Sequence, residues 1–317
     1  MAKTLDRYTG NYLIIGGTTK AGTTSLFKWL GRHPDIDAAA MKETRFFLED
    51  EYPLSSKYRL SRHGIDAYGT YFLGSSNLAW RLEATPDYLY SKSAPDAISD
   101  SLLHPYMLFV LRDPIDRLIS WYRYSKQDGR LSSKTTLSEY ISMQRESEPL
   151  AAAPQHLRAL EQGRYYAYLQ DYWRVFDDAK VLVVLYEDMI EDPGRLVRTL
   201  CHRLGIDSSC YDDFDFPVYN RTSSPSGFPL ATRVAEDLRM RIRRFAYDKP
   251  AVHTMLREVS AGLRRLTRRP KQADVAYVED SDLAFLLDYY RQDVGALARK
   301  MGRKLPWRGR RAEDGAG

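Results

Sequence analysis

The sequence has few of the features that identify disulfide-rich, cysteine-rich metal-binding, membrane-spanning or secreted proteins. Two cysteines, Cys201 and Cys210, are too few for a disulfide framework or a cysteine-rich metal site. No apolar run approaches the roughly 18 residues that span a bilayer. The N-terminal stretch MAKTLDRYTGNY lacks the apolar core of a secretory signal, so we expect a cytoplasmic location. The formal charge of +5 favours anionic ligands and does not by itself indicate nucleic acid.

The hydrophobic pattern predicts one α/β domain over residues 1–317. Apolar runs typical of buried strands occur at residues 12–15, 36–40, 78–83, 106–111 and 180–186. Most are followed by segments with helical spacing, and we find no internal repeat and no linker. This alternation favours a P-loop-like, three-layer fold with a central, mainly parallel sheet flanked by helices.

The first strand–loop–helix unit carries the strongest site signal. Gly16 and Gly17 end the apolar run at residues 12–15, and residues 23–30 have helical spacing. A helix that starts directly after a glycine-bearing loop presents unpaired N–H groups and the positive end of its dipole. The loop therefore predicts a site for a phosphate-like anion.

The order of residues in this loop differs from a Walker A motif. In Walker A the lysine follows the last glycine, whereas here Lys20 precedes Gly22. This order argues against a P-loop nucleotide kinase, which stays open as an alternative function. An ordinary glycine-rich turn is the alternative without a ligand.

The stretch GGTTKAGTTSL resembles the 5′-phosphosulfate loop of sulfotransferases that use 3′-phosphoadenosine 5′-phosphosulfate (PAPS). The resemblance implies that PAPS is the sulfuryl donor, that adenosine 3′,5′-bisphosphate is the product and that no metal is used. It implies that the 5′-phosphosulfate is held by Lys20, Ala21, Gly22, Thr23, Thr24 and Ser25. Lys20 is also predicted to stabilise charge on the leaving phosphate.

A second motif follows the apolar run at residues 106–111. Asp113 is a favourable helix N-cap and Pro114 a favourable first helical residue. Arg112 is therefore predicted at a strand end and Ser120 about two turns into a helix. The stretch VLRDPIDRLISWYRY is similar to the family's 3′-phosphate motif, which implies that Arg112 and Ser120 bind the 3′-phosphate. A surface arginine and a helix serine without a ligand are the alternative.

Later segments extend the resemblance over most of the chain. Tyr186 matches the family tyrosine that contacts adenosine, although a tyrosine that merely covers the core is an alternative. Arg221 is a candidate nucleotide ligand, in a loop that lacks the family's Arg-Lys-Gly order. Residues 283–307 resemble the C-terminal helix of bacterial sulfotransferases, so we expect a bacterial enzyme.

Glu43 is the candidate general base. It falls just past the predicted strand at residues 36–40, and ligands gather at that end of open α/β sheets. The stretch KETRFF resembles the KE-x-x-FF stretch of heparan-type sulfotransferases, whose glutamate deprotonates the acceptor. Partial desolvation is expected to raise the pKa of Glu43. An ion pair with Lys42 or Arg45 is the alternative role.

The resemblance implies transfer of a sulfuryl group to a hydroxyl of a carbohydrate, lipid or natural-product acceptor. The polar and aromatic residues 49–76 are predicted to help form the acceptor pocket, although core packing of their aromatic rings is favoured over stacking on a ligand. Heparan-type enzymes carry lysine where this chain has Ala84, which weakens the case for a heparan-like acceptor. Lys42 and Arg81 are candidate replacements.

Residues 239–269 are rich in arginine on a helical apolar pattern. A solvated basic face is favoured, and a surface for an anionic acceptor or for anionic lipid headgroups is the alternative. This segment supports a third possible function, a catalytically inactive protein that binds a nucleotide or a membrane surface. The oligomeric state is not predicted.

Overall fold

The structure, a computed structural model, describes residues 10–74, 78–146, 155–219 and 278–307. At its centre lies a sheet of five parallel strands in the order β2-β3-β1-β4-β5. The strands are β1 (Asn11–Gly17), β2 (Ile36–Ala38), β3 (Trp80–Ala84), β4 (His104–Leu111) and β5 (Val181–Leu185). All five apolar runs are therefore confirmed as strands.

Helices connect these strands and cover both faces of the sheet. The described helices are α1 (Thr23–Leu30), α2 (Leu60–His63), α3 (Asp66–Gly69), α4 (Ala94–Ser101), α5 (Pro114–Gln127), α6 (Leu137–Glu146), α7 (Tyr165–Val175), α8 (Tyr186–Glu191), α9 (Pro193–Leu204) and α10 (Asp280–Lys300). Short 3-10 turns lie at Pro86–Tyr90, Gln155–Leu157, Glu161–Gly163, Asp178–Lys180 and Ser209–Tyr211.

Alternate side chains of β1 enter two separate apolar clusters. Tyr12 and Ile14 belong to one cluster, and Leu13 and Ile15 belong to the other. Successive side chains of a strand point to opposite faces, so each cluster fills one face of the sheet. The predicted three-layer α/β fold is confirmed.

Different helices close the two faces. Helices α1 and α9 contribute Leu26 and Val197 to the cluster that contains Leu13. Helices α4, α7 and α10 contribute to the other cluster, which holds Ile98, Leu169 and Leu297. A parallel sheet with both faces covered explains why its strands read as nearly continuous apolar runs.

Helix ends are fixed by local capping. The Asp113 side chain accepts hydrogen bonds from the backbone N–H groups of Ile115 and Asp116, at 2.8 and 3.2 Å, so its predicted N-cap role is confirmed. Asp192 caps α9 in the same way. Gly205 takes the left-handed conformation that ends α9, as its glycine signal predicts.

Strand β2, which precedes the excursion at residues 49–76, is shorter than the predicted run at residues 36–40. Strand β2 ends at Ala38, because the Ala40 N–H donates to the carbonyl of Tyr71 instead of continuing the ladder. The Arg59 guanidinium donates to four backbone carbonyls of this region, those of Leu48, Glu49, Tyr52 and Leu54. One buried cation thereby fixes the loop that precedes it.

Aromatic residues of the excursion, and two phenylalanines just before it, pack into the core, as favoured from the sequence. Phe46, Phe47, Tyr52, Tyr68 and Tyr71 are buried. The rings of Phe46 and Tyr68 are stacked with centroids 5.0 Å apart. Burial of large rings is worth a few kcal/mol each, which ties the excursion to the sheet.

All described residues belong to one compact unit. The prediction of a single domain over the whole chain stays a prediction. The arginine-rich residues 239–269 lie outside the described residues. None of the described helices combines the length and the apolarity that crossing a membrane requires.

Candidate active site

The site lies at the edge of the sheet where the parallel strands end. Loops that follow β2, β3, β1 and β4 stand side by side there, because those strands are neighbours in that order. Ligands of open α/β sheets bind outside this edge. The topology thus brings the loops that carry Glu43, Lys20 and Arg112 to one side of the molecule.

The loop between β1 and α1 is shaped by a glycine that no larger residue could replace without movement. Gly22 has a φ of 83°, in the left-handed region. A Cβ atom placed on it would lie 2.3 Å from the Met189 side chain and 3.1 Å from the Tyr186 ring. The loop backbone is therefore held close against the start of α8.

The N-terminus of α1 is left without a side-chain cap among the described residues. Helix α5, which begins at the corresponding end of β4, is capped by Asp113. An uncapped helix end presents N–H donors and a positive dipole end to an anion. This contrast supports the predicted anion site at residues 20–25, where Ala21 and Thr23 are buried beside the partly exposed Thr24.

Two cations meet beside this helix end. The Arg112 guanidinium donates to the carbonyl oxygen of Lys20 at 3.4 Å, and the Lys20 ammonium lies 4.3 Å from the centre of the Tyr124 ring. Burial, followed by the charge of Arg112, lowers the pKa of Lys20 to about 8. An anion bound at this point would offset both charges, so the arrangement fits the 5′-phosphosulfate group.

Predicted ligands of the rest of the nucleotide border this cluster. The Arg112 guanidinium lies 4.7 Å from the centre of the Tyr186 ring, at the start of α8. Ser120 is on α5, one turn before Tyr124 and on the same side of that helix. The structure thus brings Lys20, Arg112 and Tyr186 together. Sequence reasoning missed Tyr124, although its spacing from Ser120 was a usable signal.

Ser25 has a contact within the chain that the sequence did not indicate. Its hydroxyl oxygen accepts a hydrogen bond from the Tyr219 backbone N–H at 3.1 Å. The Lys28 ammonium lies 3.8 Å from the centre of the Tyr219 ring. Ser25 therefore fastens a late segment of the chain to α1. The predicted ligand Arg221 lies outside the described residues.

Glu43 forms the ion pairs that the sequence offered as an alternative. Its carboxylate oxygens lie 3.0 Å from the Lys42 ammonium and 3.0 Å from the Arg45 guanidinium. Burial raises the pKa of Glu43, but these two cations outweigh burial and bring it below the ordinary value. The expected upward shift was wrong, because both neighbouring cations turn toward the carboxylate. The side chain is still 37% exposed.

A second carboxylate, which sequence reasoning missed, lies in the turn that follows β3, the strand next to β2. Asp87 is 3% exposed and accepts hydrogen bonds from the Tyr52 hydroxyl at 3.1 Å and from the Gln155 amide at 2.8 Å. Burial, followed by the charge of Glu43, raises the pKa of Asp87 to about 6. Its position directly after a buried strand was the signal that could have identified it.

The turn Pro86–Tyr90 joins the two halves of the site. The Tyr90 hydroxyl is hydrogen-bonded to the Thr18 hydroxyl in the loop after β1. The Tyr88 hydroxyl accepts a hydrogen bond from the Phe47 backbone N–H at 3.3 Å, near Glu43. One short turn therefore contacts both the anion loop and the segment of the candidate base.

Comparison with known proteins agrees with this geometry. The Sulfotransferase domain family matches residues 11–220, well over half of the chain. Bifunctional heparan sulfate N-deacetylase/N-sulfotransferase 1 of Xenopus tropicalis is 25% identical over 320 residues, which cover 96% of this chain and 31% of that relative. Heparan sulfate glucosamine 3-O-sulfotransferase 3A1 of Mus musculus is 27% identical over 217 residues, covering 68% of this chain and 50% of the relative.

The chain spans about a third of the length of the first relative and half of the second. Among solved structures, a sulfotransferase from Alicyclobacillus acidocaldarius has a TM-score of 0.62 and 24% identity, covering 93% of this chain and 97% of that one. That likeness shows the same fold. The family and the enzyme class predicted from the two phosphate motifs are confirmed. The chain belongs to the sulfotransferase family, whose members use PAPS.

Proposed function

We propose that this chain transfers a sulfuryl group from PAPS to a hydroxyl of a carbohydrate acceptor. The observation that carries the proposal is the convergence of Lys20 and Arg112 beside the uncapped start of α1. Two like charges held together in a partly buried place are unfavourable without an anion. A sulfated and phosphorylated donor supplies that anion.

Each binding residue has a role that follows from its position. Lys20 and the N–H groups at residues 22–24 hold the 5′-phosphosulfate and offset charge on the phosphate oxygen that leaves. Arg112 and Ser120 hold the 3′-phosphate, since arginine pairs well with phosphate oxygens. Tyr186, which already packs on Arg112, borders the adenosine.

Glu43 is the proposed general base. In the transfer, the acceptor oxygen forms a bond to sulfur while the bond from sulfur to the 5′-phosphate oxygen breaks. The electron pair of the broken bond stays on adenosine 3′,5′-bisphosphate, and the acceptor proton passes to the Glu43 carboxylate. Because its pKa is lowered, Glu43 is ionised and able to accept a proton at neutral pH.

The carbohydrate acceptor is proposed from the relatives, which are named for heparan sulfate. Ala84 stands at the position where heparan-type enzymes carry lysine, but Lys42 lies beside Glu43 and supplies a cation on the acceptor side. Arg81 instead donates to the Tyr12 hydroxyl at 3.0 Å, within the sheet. Lys42 is therefore the better candidate to replace that lysine.

The test has a binding step and a turnover step. Calorimetric titration with adenosine 3′,5′-bisphosphate, adenosine 5′-monophosphate and ATP measures the need for the 3′-phosphate, and Arg112→Ala should abolish that preference. Release of adenosine 3′,5′-bisphosphate from PAPS is then followed with heparosan, with a phenol and with a lipid alcohol.

Glu43→Gln should lower turnover by about 100-fold or more, the usual contribution of a general base. It should leave nucleotide binding unchanged. Glu51→Gln, an exposed acidic residue of the excursion, is the matched control. No preference for the 3′-phosphate, or ATP turnover with Mg²⁺, would overturn the proposed donor. Normal turnover by Glu43→Gln would refute only the role of Glu43 as general base.

A further inference from the structure

The turn Pro86–Tyr90 follows β3, and β3 lies between β2 and β1 in the sheet. The turn therefore stands between the loop that carries Glu43 and the loop that carries Lys20. Its hydroxyl contacts reach both sides, through Tyr88 to Phe47 and through Tyr90 to Thr18. Asp87 is the acidic residue of this turn.

Asp87 is held in one orientation by two donors from different parts of the chain. The Tyr52 hydroxyl comes from the excursion, and the Gln155 amide from the 3-10 turn Gln155–Leu157. Both donate to the same carboxylate oxygen, Oδ1. Such contacts favour the ionised form of the buried carboxylate and restrict its rotation.

The two carboxylates influence each other electrostatically. The negative charge of Glu43 raises the pKa of Asp87, and the same repulsion, acting in reverse, makes an ionised Asp87 strengthen Glu43 as a base. The charged and titratable groups that face the pair are Lys42, Arg45, Tyr52 and Tyr90. Lys42 and Arg45 weaken Glu43 as a base, so Asp87 opposes them.

We propose that Asp87 is a positioning residue that keeps Glu43 basic enough to take the acceptor proton. It does so through the negative charge that Tyr52 and Gln155 fix beside Glu43. When the acceptor oxygen attacks sulfur and the phosphate leaves, the proton enters a site that carries two negative charges. A site with two negative charges binds its first proton more tightly than Glu43 would if Lys42 and Arg45 were its only charged neighbours. The proposal rests on the proposed function.

The test is the dependence of kcat/KM on pH, measured with PAPS and the acceptor that performs best in the turnover assay. In the wild type the acidic limb should lie near pH 6, because protonation of Asp87, with its pKa of about 6, removes the charge that strengthens Glu43 as a base. Asp87→Asn removes the second charge, so the limb should move down by about one pH unit or more, and kcat at neutral pH should fall about tenfold. Tyr52→Phe removes one hydrogen bond from ionised Asp87 and should move the limb upward.

Asp87→Asn and Tyr52→Phe should move the acidic limb of the pH profile in opposite directions. A purely structural role of Asp87 would lower activity without moving that limb. Asp96→Asn, an exposed aspartate paired with Arg174, is the matched control and should leave the profile unchanged. Thermal melting and titration with adenosine 3′,5′-bisphosphate confirm that each variant is folded. If Asp87→Asn is unfolded, Tyr52→Phe decides alone, and an unmoved limb overturns the proposal.

The two proposals fail in different ways. If Glu43→Gln keeps its activity, Glu43 is not the base and the proposed function is wrong at that point. If Glu43→Gln is inactive while Asp87→Asn keeps the wild-type limb and kcat, only the role of Asp87 is refuted. An activity loss in Asp87→Asn without a shift of the limb also refutes it.

Discussion

Binding of the donor product should be coupled to uptake of a proton by Lys20. The pKa of Lys20 is lowered to about 8 by burial and by the charge of Arg112. An anion between these cations stabilises the charged form of lysine and raises its pKa again. Above pH 8 the free protein carries mostly neutral Lys20, so binding must bring in a proton.

The size of the effect follows from the pKa of about 8. Lys20 is about 90% charged at pH 7, about half charged at pH 8 and about 10% charged at pH 9. Proton uptake on binding should therefore rise from roughly 0.1 to 0.5 and then to 0.9. If only the charged form binds, affinity falls about tenfold between pH 7 and pH 9, or about 1.4 kcal/mol. The phosphates, with pKa values near 6, are still about 10% protonated at pH 7 but almost fully ionised at pH 8 and 9, so the uptake at those two pH values is assigned to Lys20.

Calorimetry in two buffers with different ionisation enthalpies measures this uptake directly. Lys20→Arg is the informative variant, because arginine keeps the charge and does not titrate in this range. It should bind adenosine 3′,5′-bisphosphate without proton uptake. Lys180→Met, at the start of β5 and so at the opposite edge of the sheet, is the control and should behave like the wild type. Equal proton uptake by wild type and Lys20→Arg at pH 8.5 would refute the assignment.

Two further substitutions test how the loops are held. Gly22→Ala would place an alanine in a left-handed conformation and in contact with Met189. Stability should therefore fall by about 1–2 kcal/mol in a thermal melt, and nucleotide affinity should fall as well. Wild-type stability and affinity would contradict the described loop. Arg59→Met should lower the free energy of unfolding by about 2–4 kcal/mol in urea, since buried carbonyls lose their donor. Nucleotide affinity should be unchanged in the folded fraction, and an equal loss of affinity would show that the excursion also shapes the donor site.

The parts of the site that could be predicted from the sequence depend on local signals. The glycine and lysine of the β1–α1 loop, and the Asp113 cap with Arg112 just before it, are each encoded within one strand–loop–helix unit. The structure brings Lys20 and Arg112 together because β1 and β4 are adjacent. Motif order alone was enough to recognise the family, since each unit carries its own predicted phosphate ligands.

The parts that could not be predicted depend on neighbours distant in sequence. The pKa of Glu43 depends on whether Lys42 and Arg45 turn toward it or away, which the residue order does not fix. The segments that carry Asp87 and Glu43 are neighbours because β3 lies next to β2, and the donor Tyr52 is positioned by the excursion that Arg59 holds. Strand order and side-chain direction therefore decide the electrostatics of the site.

Groups of like charge at the two ends of the proposed site should set the pH range of the enzyme. The carboxylate pair, with the pKa of Asp87 about 6, loses its basicity as pH falls through that value. Lys20 loses its charge as pH rises through about 8. The profile of kcat/KM for PAPS, which reports groups of the free enzyme, should be bell-shaped with limbs near these two values. At saturating PAPS the bound anion keeps Lys20 charged, so the profile of kcat should retain the acidic limb and lose the basic one. A basic limb near pH 8 in both profiles would show that a group other than Lys20 titrates there.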